Sequence, residues 1–458
     1  MLLKMVVQNL FSFGKQKEFN MFPAPKYKRL PHHKYQVKAF SVLKMASIYG
    51  ANAAGKSNLI KAILLLKTIV LEGKIPRAMA MAEYKFFPKD KSSNQILAVE
   101  FIQNGRAFHY AIEIKKGKII AEELYELEFE GDGKLIFERK TNKDSAVEIV
   151  FPESFKTDPK KRMLKDIIEK NLITPNKPLL RLLTDLEGDD FEDVRLALSW
   201  FRDTLQVVSP GAKPRSLVHL VETDEHFKKY AEDLICSFDT GVCKVGLTKQ
   251  PLRQLISEEE FNLVKNQIEN LTDTPDSDRV ALMEMNRNGE NHEIVTEGDT
   301  IYAKNIVLEQ SYDNGVNAVF KTSELSDGTI RLIDFVPAIR NVVNKACVVI
   351  IDEIERSIHP LLIKEIVKKF SNDTSTNGQL IFTTHESNLL DQTIFRQDEV
   401  WFVEKDTSGN SDMYPLSDFK EHNTKDIRKG YLVGRYGSIP FLSNLADLNW
   451  NNNDSEEK

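Results

Sequence analysis

Residues Ala46–Ala62 read ASIYGANAAGKSNLIKA, and this stretch decides the fold. Its centre, Gly50-Ala-Asn52-Ala-Ala-Gly55-Lys56-Ser57, is a full GxxxxGK[ST] match. Glycines let a backbone wrap closely around phosphates, so that successive N–H groups converge at the start of the following helix. The context is the required one. Lys44–Tyr49 reads as a strand running into Gly50, and a helix is expected to start near Lys56. The stretch is therefore read as a phosphate-binding loop whose expected cofactors are ATP and Mg²⁺. Gly50, Asn52, Gly55 and Asn58 belong to the expected cradle. Lys56 reaches the β- and γ-phosphates, and Ser57 holds the metal.

Three further pieces follow in the order such a site needs. Ala346–Glu353, ACVVIIDE, places six apolar residues before two acids, as in a strand buried on both faces. A carboxylate at the end of such a strand emerges where ligands of α/β sheets bind. Asp352 is assigned to the Mg²⁺ shell, and Glu353 to orienting or deprotonating a water. Glu324-Leu-Ser326-Asp-Gly328-Thr329 offers a hydroxyl and free N–H groups at a helix start. An ordinary cap on Ser326 is the competing reading. Gln379–His385, QLIFTTH, is a strand ending in a polar pair and a histidine.

With 41% apolar and 28% charged residues in 458, the chain can build a sizeable core. A net charge of −6 argues against a surface coated for nucleic acid, although a local basic stripe stays open. The three cysteines, Cys236, Cys243 and Cys347, lack paired spacing and support neither a zinc ribbon nor a disulfide framework. The N-terminus lacks an apolar segment followed by a cleavage site, and no run approaches a membrane span. A cytoplasmic protein without membrane contact is expected.

Residues 1–150 are expected to form an N-terminal half containing the phosphate loop and an antiparallel β lobe, with a hairpin turn at Asn104-Gly105. Helical spacing then dominates 151–275, read as one helical insert. Residues 276–440 form a C-terminal half, and 441–458 a polar tail. His32-His33, in a basic segment, is read as strand and loop and not as a metal site.

Together these motifs resemble the ATPase core shared by ABC, SMC and OLD-like proteins. YGANAAGKSNL, SELSDGTIRL, DEIERSIHP, TTHESNLLD and YLVGRYGSIP look like the OLD-like AAA ATPases of bacterial anti-phage systems, such as the Septu and PARIS subunits and related abortive-infection modules. The resemblance implies an α/β, ABC/SMC-like P-loop ATPase with an antiparallel β lobe and a helical insert. It further implies that Ser326 and Gly328 form a degenerate signature contacting ATP held by another copy. His385 would be the switch histidine, catalytic together with Glu353, and Ile354–Pro360 the D-loop. The implied assembly is a homodimer or higher homo-oligomer gated by ATP.

Three departures stand out, one being Asp327 in place of the first of two consecutive signature glycines. Phe11 occupies the place of a basic residue in Asn9-Leu-Phe-Ser-Phe13, and no Q-loop glutamine can be placed, Gln95 being the nearest candidate. Only 73 residues follow His385, too few for the metal-dependent Toprim domain of OLD nucleases, and no HNH pair is visible. The expectation is a sensor and scaffold that controls a separately encoded Toprim or HNH nuclease in response to a phage-derived trigger. The alternatives are a DNA-clamping repair or recombination ATPase and, more remotely, a transporter subunit.

Overall fold

Five consecutive buried residues, Met45–Tyr49, form a strand inside a six-stranded sheet. Such a strand turns no face to water, so it needs neighbours in the plane and cover on both sides. The computed structural model describes residues 1–37, 40–77, 79, 82–86, 94–128, 133–214, 217–238, 240–272, 283–287, 290–298, 300–311, 316–419 and 426–438. The expected polar tail, and the last two residues of Tyr431–Pro440, lie outside these. The chain divides into two units: Met1–Pro210 with Asn344–Ile354 and Val367–Lys458, and Gly211–Val343 with Glu355–Ile366.

The first unit begins with β1 (Leu2–Gln8), β2 (Lys17–Asn20), a small hairpin of β3 (Lys34–Val37) and β4 (Phe40–Leu43), β5 (Met45–Tyr49) and α1 (Lys56–Glu72). Five antiparallel strands follow: β6 (Gln95–Gln103), β7 (Arg106–Lys115), β8 (Lys118–Leu127), β9 (Lys134–Thr141) and β10 (Val147–Val150). They join β1 and β2 in a sheet ordered β10-β9-β8-β7-β6-β1-β2. The β6–β7 turn uses Asn104 and Gly105, both with positive φ, as the sequence predicts. Short helical segments then lead to β11 (Leu205–Val208).

The second unit holds β12 (Val242–Pro251), β13 (Met283–Arg287), β14 (Glu290–Glu297), β15 (Thr300–Ser311) and β16 (Asn317–Lys321). These strands are antiparallel, in the order β12-β15-β14-β13 with β16 also on β15. α2 (Asp327–Asn344) follows them. Ile333 and Val336 of α2 share a core with Val242, Val245, Ile306 and Leu308. The chain then returns to the first unit with β17 (Val348–Ile351), β18 (Gln379–Thr384), β19 (Val400–Lys405) and β20 (Ser411–Pro415).

The central sheet runs β11-β17-β18-β5-β19-β20; all neighbours are parallel except β19 and β20. α1 places Leu59, Ile63, Leu66 and Val70 in one core with Met5, Leu97 and Val99 of the antiparallel sheet and Ile48, Ile350 and Ile381 of the central one. Each such buried aliphatic side chain contributes about 1.5–3 kcal/mol. An α/β core beside an antiparallel lobe is the expected class.

The insert reading needs correction. Residues 151–275 are not one helical body, because the unit boundary falls at Pro210. The stretch also contains two strands, β11 on the edge of the central sheet and the ten-residue β12. β11 is only four residues long and directly follows a helical pattern, so its periodicity carries no signal of its own.

Candidate nucleotide site

β5 delivers the chain into the loop at Gly50, where an added Cβ would run into the Val403 carbonyl of β19. Gly55 has φ 124°, and a Cβ there would meet the hydroxyls of Ser411 and Ser12. Both glycines are thus demanded by close approach. Asn52 and Ala53 are exposed at the tip, with Ala53 in the left-handed region at φ 63°. Lys56 is buried at the start of α1. Its Nζ donates to the carbonyls of Gly50 (2.7 Å) and Ala51 (3.1 Å) and lies 3.3 Å from His385 Nδ1.

The sheet register brings the other pieces to the same edge. β18 lies between β5 and β17, with Thr384 opposite Tyr49 and Phe382 opposite Ile351. Gly50 and His385 therefore leave adjacent strands side by side, and Asp352 is level with Thr383. The Asp352 carboxylate is almost fully buried and its Oδ1 accepts two hydroxyls, from Thr383 at 2.5 Å and Ser57 at 3.1 Å. Thr383 also receives the Glu353 N–H on its Oγ1 (2.8 Å) and the Ile354 N–H on its carbonyl (3.1 Å). Glu353 is held there with φ 52°, an unfavourable value for a side chain with a Cβ.

Ser57 and Asp352 present a hydroxyl and a carboxylate together. This hard oxygen pair suits Mg²⁺, which takes one or two protein ligands and completes its shell with water and phosphate. Among the described residues no group of three or more His, Cys, Asp or Glu forms a site of another kind. The residues fit the expected ion.

A family model described as "AAA domain, putative AbiEii toxin, Type IV TA system" matches residues 45–391, from the first residue of β5 to beyond His385. The chain belongs to this family. Among solved structures, the AAA-domain chain is similar to the SMC head domain from Thermotoga maritima at 13% identity and TM-score 0.39, covering 90% of this chain and 98% of that one. It is also similar to an SMC head bound to the C-terminal winged-helix domain of ScpA (11%, TM-score 0.44, 90% and 97% covered). A third is an Smc head with an extended coiled coil, bound to the C-terminal domain of ScpA derived from Pyrococcus furiosus (12%, TM-score 0.38, 95% and 98%). No curated protein matches the chain.

Three residues around this site carry no clear signal in the sequence. Thr383 was legible only as half of a polar pair. Ser12 lies inside Asn9–Phe13, where Phe11 is the noticeable departure, and Ser411 has no motif around it. Asn58, expected in the phosphate cradle, gives its amide to Ser12 Oγ at 2.8 Å. Gln95, the nearest Q-loop candidate, is buried at the start of β6 with its amide on the Met79 carbonyl at 3.1 Å. His33 is buried between Glu399 (2.9 Å) and Ser371 (3.1 Å), a structural role. No helix among the described residues is long and apolar enough to cross a membrane.

Ser326 and Gly328 belong to the second unit. The Ser326 hydroxyl accepts the Thr329 N–H at 3.2 Å and lies 2.9 Å from Thr329 Oγ1, so it caps α2. A Cβ on Gly328 would collide with the carbonyl of Ser357, itself left-handed at φ 61°.

Proposed function

We propose that the chain is a slowly hydrolysing ATPase subunit of a bacterial anti-phage complex, in which ATP gates association of two copies and so controls a separately encoded nuclease effector. The observation that carries the ATPase reading is the convergence of Lys56, Ser57, Asp352 and Thr383 at the ends of three adjacent parallel strands, with His385 beside Lys56. The family's own description, a toxin of a toxin–antitoxin system, supports a place in defence.

The roles follow from position. Backbone N–H groups of the loop and the Lys56 ammonium bind the phosphates. Ser57 and Asp352 would hold Mg²⁺, which when bound neutralises phosphate charge. Glu353, fixed through its amide by Thr383, orients a water and takes its proton. His385 stands where the terminal phosphate is sensed. Ser326 and Gly328, carried by the other unit, are proposed to contact ATP on a second copy, so that nucleotide binding favours the dimer by mass action.

The test is a pull-down of tagged Glu353→Gln protein in MgATP, with a phage protection assay on the same variant and on Lys56→Ala. Recovery of a Toprim- or HNH-type nuclease, lost when Lys56→Ala is added, supports the reading. Full protection by both variants would sink it, and recovery of DNA with repair proteins would replace it with the clamp.

A further inference from the structure

The phosphate loop is braced from outside by two serines far apart in sequence. Ser12 sits in a tight turn closed by reciprocal hydrogen bonds between Leu10 and Phe13 (3.0 and 2.8 Å). Ser411 opens β20 and is fully buried. Its N–H donates to the Ser12 carbonyl at 2.7 Å. The Ser411 hydroxyl lies 2.5 Å from the Ala54 carbonyl and 2.7 Å from Ser12 Oγ. A hydroxyl has one proton and a carbonyl can only accept. The Ser411 proton is therefore committed to Ala54, and the Ser12 proton completes the contact between the two serines. Asn58, in the first turn of α1, donates to Ser12 Oγ at 2.8 Å and ends the chain of contacts.

The Ala54–Gly55 peptide is trans and planar, so its carbonyl and the Gly55 N–H point in opposite directions. Holding the Ala54 oxygen on the Ser411 side sends the Gly55 N–H to the other side. A Cβ on Gly55 would collide with both serine hydroxyls, which ties this peptide's placement to the same brace.

We propose that Ser411, braced by Ser12, is a positioning residue of the phosphate loop: it anchors the Ala54 carbonyl outward and thereby aims the Gly55 N–H at the phosphates of the bound nucleotide. The inference rests on the ATP-binding reading above. Ser411 touches no reacting atom, so its loss acts on nucleotide affinity and leaves the chemical step alone.

The experiment measures MgATP and MgADP affinity and steady-state ATPase kinetics for the full chain, Ser411→Ala and Ser12→Ala, with circular dichroism confirming the folded state. Loss of one oriented hydrogen-bond donor toward a charged ligand predicts about a tenfold weaker affinity and higher KM for Ser411→Ala, with kcat within about twofold. A smaller rise in KM, about threefold, is expected for Ser12→Ala, which keeps the Ser411 contact. A merely destabilised protein would instead show lower kcat at unchanged KM. Wild-type affinity in folded Ser411→Ala overturns the proposal, as does a loss confined to kcat. Should Ser411→Ala not fold, an unchanged KM in Ser12→Ala overturns it alone. A wild-type chain that binds neither nucleotide would defeat the ATP reading itself, and this inference with it.

Discussion

Lys56 Nζ lies 3.3 Å from Nδ1 of His385, although 329 positions separate them in sequence. The parallel pairing of β5 and β18 creates this neighbourhood, because the two strands end level. The two residues should nonetheless fail differently. Lys56→Ala removes a cation from the phosphate cradle and is expected to weaken MgATP binding by about 10–100-fold. His385→Ala leaves the cradle whole and is expected to bind MgATP within about threefold of wild type, while turnover falls by about 100-fold. Titration calorimetry and phosphate release check the pair. A His385→Ala protein that loses binding as Lys56→Ala does would make the histidine a structural partner of the loop.

Glu353 combines a left-handed backbone with the role of water-orienting carboxylate. Backbone strain at a functional position persists because its surroundings impose it, here through the two Thr383 contacts. Glu353→Gly should therefore raise stability by about 1 kcal/mol while abolishing turnover. Glu353→Gln keeps the strain, so it should abolish turnover without the gain. Thermal unfolding of the three proteins separates the effects, and a Glu353→Gly variant less stable than wild type would refute the strain argument.

The elements that positioned the site could be read directly wherever one physical constraint dominated. The strand–loop–helix around Gly50–Lys56, the buried strand before Asp352 and the Asn104-Gly105 turn each rest on a strong local pattern, and the structure has all three elements. The Lys116-Gly117 turn of the next hairpin uses the same positive-φ pair but was missed, because its flanking lysines hide the alternation. Contacts made by tertiary approach left no trace in the sequence. Ser411 lies 357 positions from Ala54, and only the β19–β20 hairpin brings it there. β12 escaped because Gly246 and two lysines interrupt its pattern, while its nine paired residues on β15 outweigh that weak propensity.

Gly328 was read as an anion-contacting glycine, but its immediate need is steric. The Ser357 carbonyl occupies the place of a Cβ and, set on a left-handed residue, has little freedom to retreat. Gly328→Ala should cost about 1–3 kcal/mol through overpacking. Ser326→Ala loses only a helix cap, about 1 kcal/mol. Hydrogen–deuterium exchange should report loosening of both α2 and residues 355–366 in Gly328→Ala, and of the first turn of α2 alone in Ser326→Ala. Equal, local effects would remove the link between Gly328 and Ser357.

The antiparallel lobe carries a pH dependence of its own. His109 of β7 lies between Glu123 (3.2 Å) and Glu100 (3.6 Å). Burial alone would lower its pKa, but hydrogen bonds and charge from the two carboxylates outweigh it and raise the imidazole to about 9. Between pH 6.5 and 9 the unfolded chain has released this proton while the folded lobe retains it, so stability must fall as pH rises. The contribution is fully present below about pH 6.5 and gone above about pH 9, with a size on the order of 2 kcal/mol. His109→Gln cannot carry the charge. It should lower stability at pH 6 and converge with wild type near pH 9.5, flattening this part of the profile. Parallel thermal unfolding curves for the two proteins from pH 6 to 9.5 would show that His109 is neutral in the folded lobe.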